Sequence, residues 1–163
     1  MATTRKPKIT HSTTADVVVK VKRLDERACL PERKTDGAAC FDIRTLEDIY
    51  LHTLNASDKA TVVPTGLAFE IPEGYHMKVF LRSSVGLNSH LRLANQVAII
   101  DSDYRGELKL LVENPAREPV SIKAGVRIAQ VMIEKNVPTS FSEVKELSKT
   151  KRGEGGLGST GKE

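Results

Sequence analysis

A chain of 163 residues, 39% hydrophobic and 28% charged, has the size and composition of a single folded domain and not of a disordered protein. Its 25 basic and 21 acidic side chains are interleaved and leave a net charge of +4, which argues against direct nucleic-acid binding, since phosphate-backbone binders carry a basic stripe. Its apolar runs fall far short of the ~20 residues that span a bilayer, so no membrane association is expected.

In chain order, residues 1–15 form a polar, basic leader without the apolar stretch of a secretory signal. Cys29 and Cys40 lack a Cys-x-x-Cys spacing. They predict neither a disulfide framework nor a zinc site but two free thiols in a reducing cytoplasm, or in the host-cell cytoplasm or nucleus if the protein is viral. Residues 16–147 carry short β-type runs at 16–23, 60–63, 66–71, 76–81, 107–112 and 127–133. They are β-branched, partly alternating, and punctuated by Pro64, Pro72, Gly74, Pro115, Pro119 and Gly125. A short helix is predicted around Ser83 to His90. Many short strands at this spacing indicate an all-β sandwich or barrel. Residues 148–163 form a Gly-rich basic tail whose one large apolar residue is Leu157. Such a tail cannot offset an ordering entropy of roughly 1–2 kcal/mol per residue. It is expected to order only on a ligand, a plain solvated tail being the competing reading.

Three segments carry chemistry. Arg82-Ser83-Ser84-Val85-Gly86 runs from a strand into the predicted helix, where hydroxyls and free N–H groups suit phosphate, with ordinary N-capping by Ser83 or Ser84 as the bland alternative. Asn95 to Glu107 reads as a β-hairpin or a closely paired corner, offering main-chain donors and acceptors around a slot the width of a pyrimidine. There Asn95 can donate and accept, and Asp101, partly desolvated, suits a general base. Asp103 and Arg105 read as turn residues. The tail, from Arg152 through Gly156, Ser159 and Thr160, has the composition of a phosphate-cradling loop without the Walker A spacing.

Taken together, Gly37 to Ile43, Arg82 to Gly86, Asn95 to Glu107, Gly125 to Val131 and Arg152 to Gly161 resemble, in order and spacing, the trimeric dUTPases. The resemblance covers roughly residues 16–161. It implies a distorted jelly-roll (β-clip) fold with a short helix and a flexible C-terminal arm. It further implies a homotrimer with shared active sites, and hydrolysis of dUTP to dUMP and pyrophosphate with Mg²⁺.

Position by position, the resemblance makes Asp101 the catalytic carboxylate and Asp42 the carboxylate that holds Mg²⁺ through water. Arg82, Ser83, Ser84, Gln130, Arg152, Gly156, Ser159 and Thr160 become phosphate contacts. Asn95, Ala98, Ile100, Tyr104 and Leu157 become base and sugar contacts, with Tyr104 packed flat on the deoxyribose. Leu157 stands where the family usually has Phe, and Cys40 and Ala98 where it usually has Gly. Two other readings share parts of this pattern: a dCTP deaminase-like enzyme, and a non-catalytic dUTP-binding regulator.

Overall fold

The computed structural model describes residues 17–54, 56 and 59–156. It holds ten strands, β1 (Lys20–Arg23), β2 (Phe41–Arg44), β3 (Ile49–Leu51), β4 (Thr61–Glu70), β5 (Tyr75–Leu81), β6 (Arg92–Leu93), β7 (Ala98–Ile100), β8 (Glu107–Glu113), β9 (Val120–Ile122) and β10 (Arg127–Lys135). One helix, α1 (Ser83–Ser89), lies between β5 and β6. The all-β expectation with one short helix holds. One four-stranded sheet runs β1-β4-β8-β6, a second runs β2-β10-β5-β7, and β3 pairs with β9. Every ladder is antiparallel.

The sheets share one core. Val63, Leu67, Leu108, Leu110 and Val112 from the first sheet meet Ile43, Met77, Val79, Ile128 and Val131 from the second. Alternation along β8, where Leu108, Leu110 and Val112 are buried and Lys109 and Leu111 exposed, is the period-two pattern of a half-covered strand. The buried polar groups are satisfied. Thr65 donates to the Leu108 carbonyl at 2.6 Å, and Asn114 donates to the carbonyls of Leu51 and Glu118 while accepting from the Ala116 N–H. Cys29 and Cys40 are free thiols, as expected.

Two differences from the predicted elements have physical causes. The runs at 60–63 and 66–71 are one strand, β4, that continues through Pro64 and Gly66. Proline is tolerated because β1 pairs only with residues 67–70, so no strand pairs with β4 on that side at Pro64, where only its carbonyl is used, accepting from the Leu46 N–H at 3.1 Å. The register against β8 shifts between Pro64 and Ala68. Gly66 takes φ +68° there, and a Cβ would stand 2.9 Å from that of Ala28.

The second difference is at Asn95 to Glu107. Of the hairpin and the corner, the corner forms. β7 pairs with β5 in one sheet while β8 pairs with β4 and β6 in the other, so the segment between them crosses from sheet to sheet. Among the described residues no helix is long and apolar enough to cross a membrane.

Candidate active site

Asp42, on β2, is ion-paired with two guanidiniums at once: Arg82 Nε lies 3.0 Å from Oδ1, and Arg127 Nη1 donates to Oδ2 at 2.8 Å. The carboxylate is only 13% exposed. The register explains the meeting. Gln130 on β10 stands opposite Asp42 on one side and Phe80 on the other, and Arg82 follows the end of β5.

Arg127 was absent from the residues singled out in the sequence, and a β-bulge is the reason. Strict alternation puts Ile128, not Arg127, on the face of Gln130. The register against β2 slips between Arg127 and Ala129, so that Ile128 and Ala129 are both fully buried and Arg127 returns to the face of Asp42. A bulge leaves no mark in the hydrophobic pattern; the only available signal was an Arg three residues before Gln130 inside the resembling segment.

Asp42, Arg82, Ser83, Arg127 and Gln130, with Lys34 and the small residues Ala38 to Cys40, line a cleft of about 290 Å³. Three cations against one carboxylate make it attractive to an anion, and the two guanidiniums supply the forked donors that match phosphate oxygens. Four predicted residues are therefore brought together: Asp42, Arg82, Ser83 and Gln130. Ser84 faces a neighbouring open depression with Arg44, Val85 and Lys123. Ordinary N-capping by Ser83 or Ser84 does not occur, since Arg82 occupies the cap position and α1 has no side-chain cap bond.

Asp101 lies elsewhere. Ile100 stands opposite Met77, so Asp101 is level with His76, six residues before Arg82, and about 3.3 Å per residue places the two about 20 Å apart. Asp42 is three strands from β7 in the same sheet. In the single chain Asp101 is exposed, not partly desolvated. Its backbone carbonyl accepts from the Tyr104 N–H at 3.3 Å.

Around it the predicted base-reading residues share one edge. β7 is the outermost strand of its sheet, so one side of its backbone is left without a strand partner among the described residues. Ala98 and Ile100 are half-buried against the core, and Asn95 sits exposed in the tight turn that leads in. Tyr104 is 46% exposed and donates to the Glu107 carbonyl at 3.0 Å. Its ring folds over Gly106, where a Cβ would come within 2.4 Å of the phenolic oxygen, so a side chain there would push the ring aside. Arg105 donates to the carbonyls of Ser102 and Tyr104, as a turn residue does.

Beyond β10 the described chain forms no strand or helix through Gly156. Phe141 is fully exposed and Leu147 is 86% exposed, so this stretch does not pack on its own domain. Arg152 is exposed, its Nε donating to the Gly155 carbonyl at 2.8 Å, and Gly156 is exposed too. Leu157, Ser159 and Thr160 lie outside the described residues, as do residues 1–15.

The donor set can be weighed against a Mg²⁺ ion. Among the described residues no three His, Cys, Asp or Glu side chains converge on a metal-sized site. Each Asp42 oxygen already faces one guanidinium, but a carboxylate has about four lone-pair positions. The remaining capacity suits a water molecule of a hydrated ion. Asp42 thus fits Mg²⁺ that arrives with a polyphosphate and keeps water around it, as this ion prefers to do.

The sequence model of the dUTPase family matches residues 26–161. The deoxyuridine 5'-triphosphate nucleotidohydrolase of Nautilia profundicola is 41% identical over 144 residues, which cover 88% of this chain and 99% of that protein. That of Rhizobium rhizogenes is 44% identical over 133 residues, covering 81% and 85%. The solved structure of Staphylococcus bacteriophage 80alpha dUTPase with dUPNHPP is 28% identical, with a TM-score of 0.77 over 88% of this chain and 98% of that one. A mutant dUTPase from phage phi11 of S. aureus, which coordinates a structural Mg(II) ion, shares the fold at 24% identity, with a TM-score of 0.71 over 81% of this chain and 99% of that one. With a family match across most of its length and relatives above 40% identity covering more than four-fifths of it, the chain belongs to the dUTPase family.

Proposed function

We propose that this protein hydrolyses dUTP to dUMP and pyrophosphate at a site composed between copies of the chain. The observation that carries the shared site is the separation along β5: the anion cleft and Asp101 lie at opposite ends of that strand, about 20 Å apart, too far to act on one phosphate. A second copy that sets its Asp101 edge against the cleft of the first would bring them together, in keeping with a homotrimer. The unpacked segment after β10, with its exposed Phe141 and Leu147, supports an arm that reaches a further copy.

In this reading Arg82, Ser83 and Gln130 hold the phosphates in the cleft, and Arg152, Gly156, Ser159 and Thr160 of the arm close over them. Arg127 and Arg82 also hold the Asp42 carboxylate in one orientation, and that carboxylate would hold the ion through its water. Mg²⁺, when bound with the nucleotide, neutralises charge on the phosphate oxygens. Asp101 orients the attacking water and takes its proton as the water oxygen bonds the α-phosphorus and the bond to the bridging oxygen breaks, releasing pyrophosphate. Positioning and charge neutralisation supply most of what phosphoryl transfer requires.

The free backbone edge of β7, with Asn95, reads uracil. A base with mismatched donors would leave polar atoms unpaired, at about 1–3 kcal/mol each. Tyr104 covers the sugar and excludes a 2′-hydroxyl. Neither a deaminase nor a silent binding protein draws support from a specific feature of the site.

Pyrophosphate release measured across the common dNTPs and UTP, with and without Mg²⁺, tests the activity. Turnover confined to dUTP is expected, and none with dUTP would refute it. Mixing Asp101→Asn protein with Asp42→Asn protein after subunit exchange tests the sharing: two inactive preparations should regain part of the activity, and none should return if each chain carries its own site.

A further inference from the structure

We propose that Lys34 is a further phosphate-contacting residue of the cleft, parked on Glu32 in the free protein and handed to the polyphosphate when nucleotide enters. This rests on the reading of the cleft as a triphosphate site.

Among the cations lining the cleft, Lys34 is the one not tied to Asp42. Arg82 and Arg127 both direct a nitrogen to that carboxylate, whereas the Lys34 ammonium is ion-paired with Glu32 Oε1. Glu32 is itself part of the cleft's frame. Its carbonyl accepts from the Asp42 N–H at 2.8 Å, so the residues from Glu32 to Lys34 leave the fold beside Asp42 and carry the lysine to the rim.

The pair is built to open. The Lys34 and Glu32 side chains are 47% and 44% exposed, and ion pairs so open to water contribute little. Glu32 would not be stranded, because Arg44 Nη2 also reaches Oε1, at 3.0 Å, while Arg44 Nη1 is pinned to the Gly125 carbonyl at 2.7 Å. The same two cations, Lys34 first and then Arg44, hold the Glu32 carboxyl below its ordinary range. A polyphosphate offers several charged oxygens at once and is the stronger acceptor for a flexible ammonium. With Arg82 and Arg127 partly neutralised by Asp42, Lys34 supplies the charge that a triphosphate needs and a monophosphate does not.

The test compares the full-length protein with Lys34→Gln and Lys34→Arg, measuring by calorimetry the binding of dUMP, of the non-hydrolysable analogue dUPNHPP with Mg²⁺, and of inorganic tripolyphosphate. Lys34→Gln should weaken the analogue and tripolyphosphate by about five- to twentyfold, the effect of one charge-assisted hydrogen bond at a half-exposed site. It should change dUMP less than twofold, raise KM for dUTP in step and leave kcat within twofold; Lys34→Arg should restore most of the binding. Equal losses for dUMP and the analogue, or no loss with either triphosphate, would overturn the proposal. The tripolyphosphate arm separates it from the functional reading: a protein that failed to hydrolyse dUTP yet lost tripolyphosphate binding in Lys34→Gln would sink the reading and keep the lysine. Normal KM for dUTP in that variant would do the reverse.

Discussion

Arg127 Nη1 donates to Asp42 Oδ2 at 2.8 Å, joining the bulged start of β10 to the edge strand β2 through a carboxylate that is 13% exposed. This ion pair belongs to the fold as well as to the site, since removing either charge leaves the other largely out of water. Asp42→Asn should lower stability by about 1–3 kcal/mol. At about 2–4 °C per kcal/mol for a domain of this size, thermal unfolding should shift visibly downward. Hydrolysis should fall at least tenfold, because Asn cannot aim a negative charge at a hydrated ion. An unshifted melting curve would show that Arg82 and Arg127 find other partners.

Asp101 predicts the opposite division. Its side chain is exposed in the single chain and carries no part of the core. Asp101→Asn should leave the melting temperature unchanged and lower turnover by roughly 10²–10⁴, the usual loss for a general base. Binding of dUPNHPP should persist. Turnover within a factor of two of the unaltered protein would remove Asp101 from the chemistry.

Tyr104 and Gly106 form a unit, because the ring lies where any Cβ at position 106 would be. Tyr104→Ala should raise activity toward UTP relative to dUTP. Gly106→Ala, by driving the ring off its seat, should do the same while leaving the tyrosine in place. The ratio of kcat/KM for the two nucleotides measures both, and an unchanged ratio in each variant would assign sugar selection to other residues.

Deleting the chain from Arg152 onward should leave the melting temperature intact, since among the described residues no strand or helix is lost and the preceding stretch is exposed. Hydrolysis should drop by at least an order of magnitude. Full activity in the shortened protein would exclude a closing arm.

The turn after β1 makes a pH-dependent contribution. The Arg27 guanidinium, then the Arg27 backbone N–H, hold the Asp25 carboxyl down at about 2 from an ordinary 3.8. A carboxyl whose folded pKa is depressed stabilises the fold above its unfolded value. That contribution is lost as the pH falls from about 4 through about 2. Asp25→Asn should therefore melt below the unaltered protein at pH 5, with the gap closing by pH 2. A gap that stays constant would place the effect in packing and not in charge.

The sequence by itself determined the β-class of the chain, five of its strands in outline and its short helix, and through the family resemblance it singled out four residues that line the anion cleft, Asp42, Arg82, Ser83 and Gln130. Asp42 and Gln130 came from the resemblance alone. Local chemistry is enough for the strands, the helix and the Arg82-Ser83 end of the cleft: β-branched runs, Pro and Gly punctuation, and a Ser pair between strand and helix. It also made Asp101 stand out, through a run of apolar residues ending in a carboxylate.

Only the tertiary structure decided how those pieces relate. β4 is continuous because β1 is too short to test Pro64. The segment from Asn95 to Glu107 is a corner because its two halves join different sheets. Arg127 reaches Asp42 through a bulge that alternation cannot show. Register between strands far apart in sequence also puts Asp101 and the cleft at opposite ends of β5. Pairing of that kind is set by long-range hydrogen bonds and shared core packing, which no local pattern encodes.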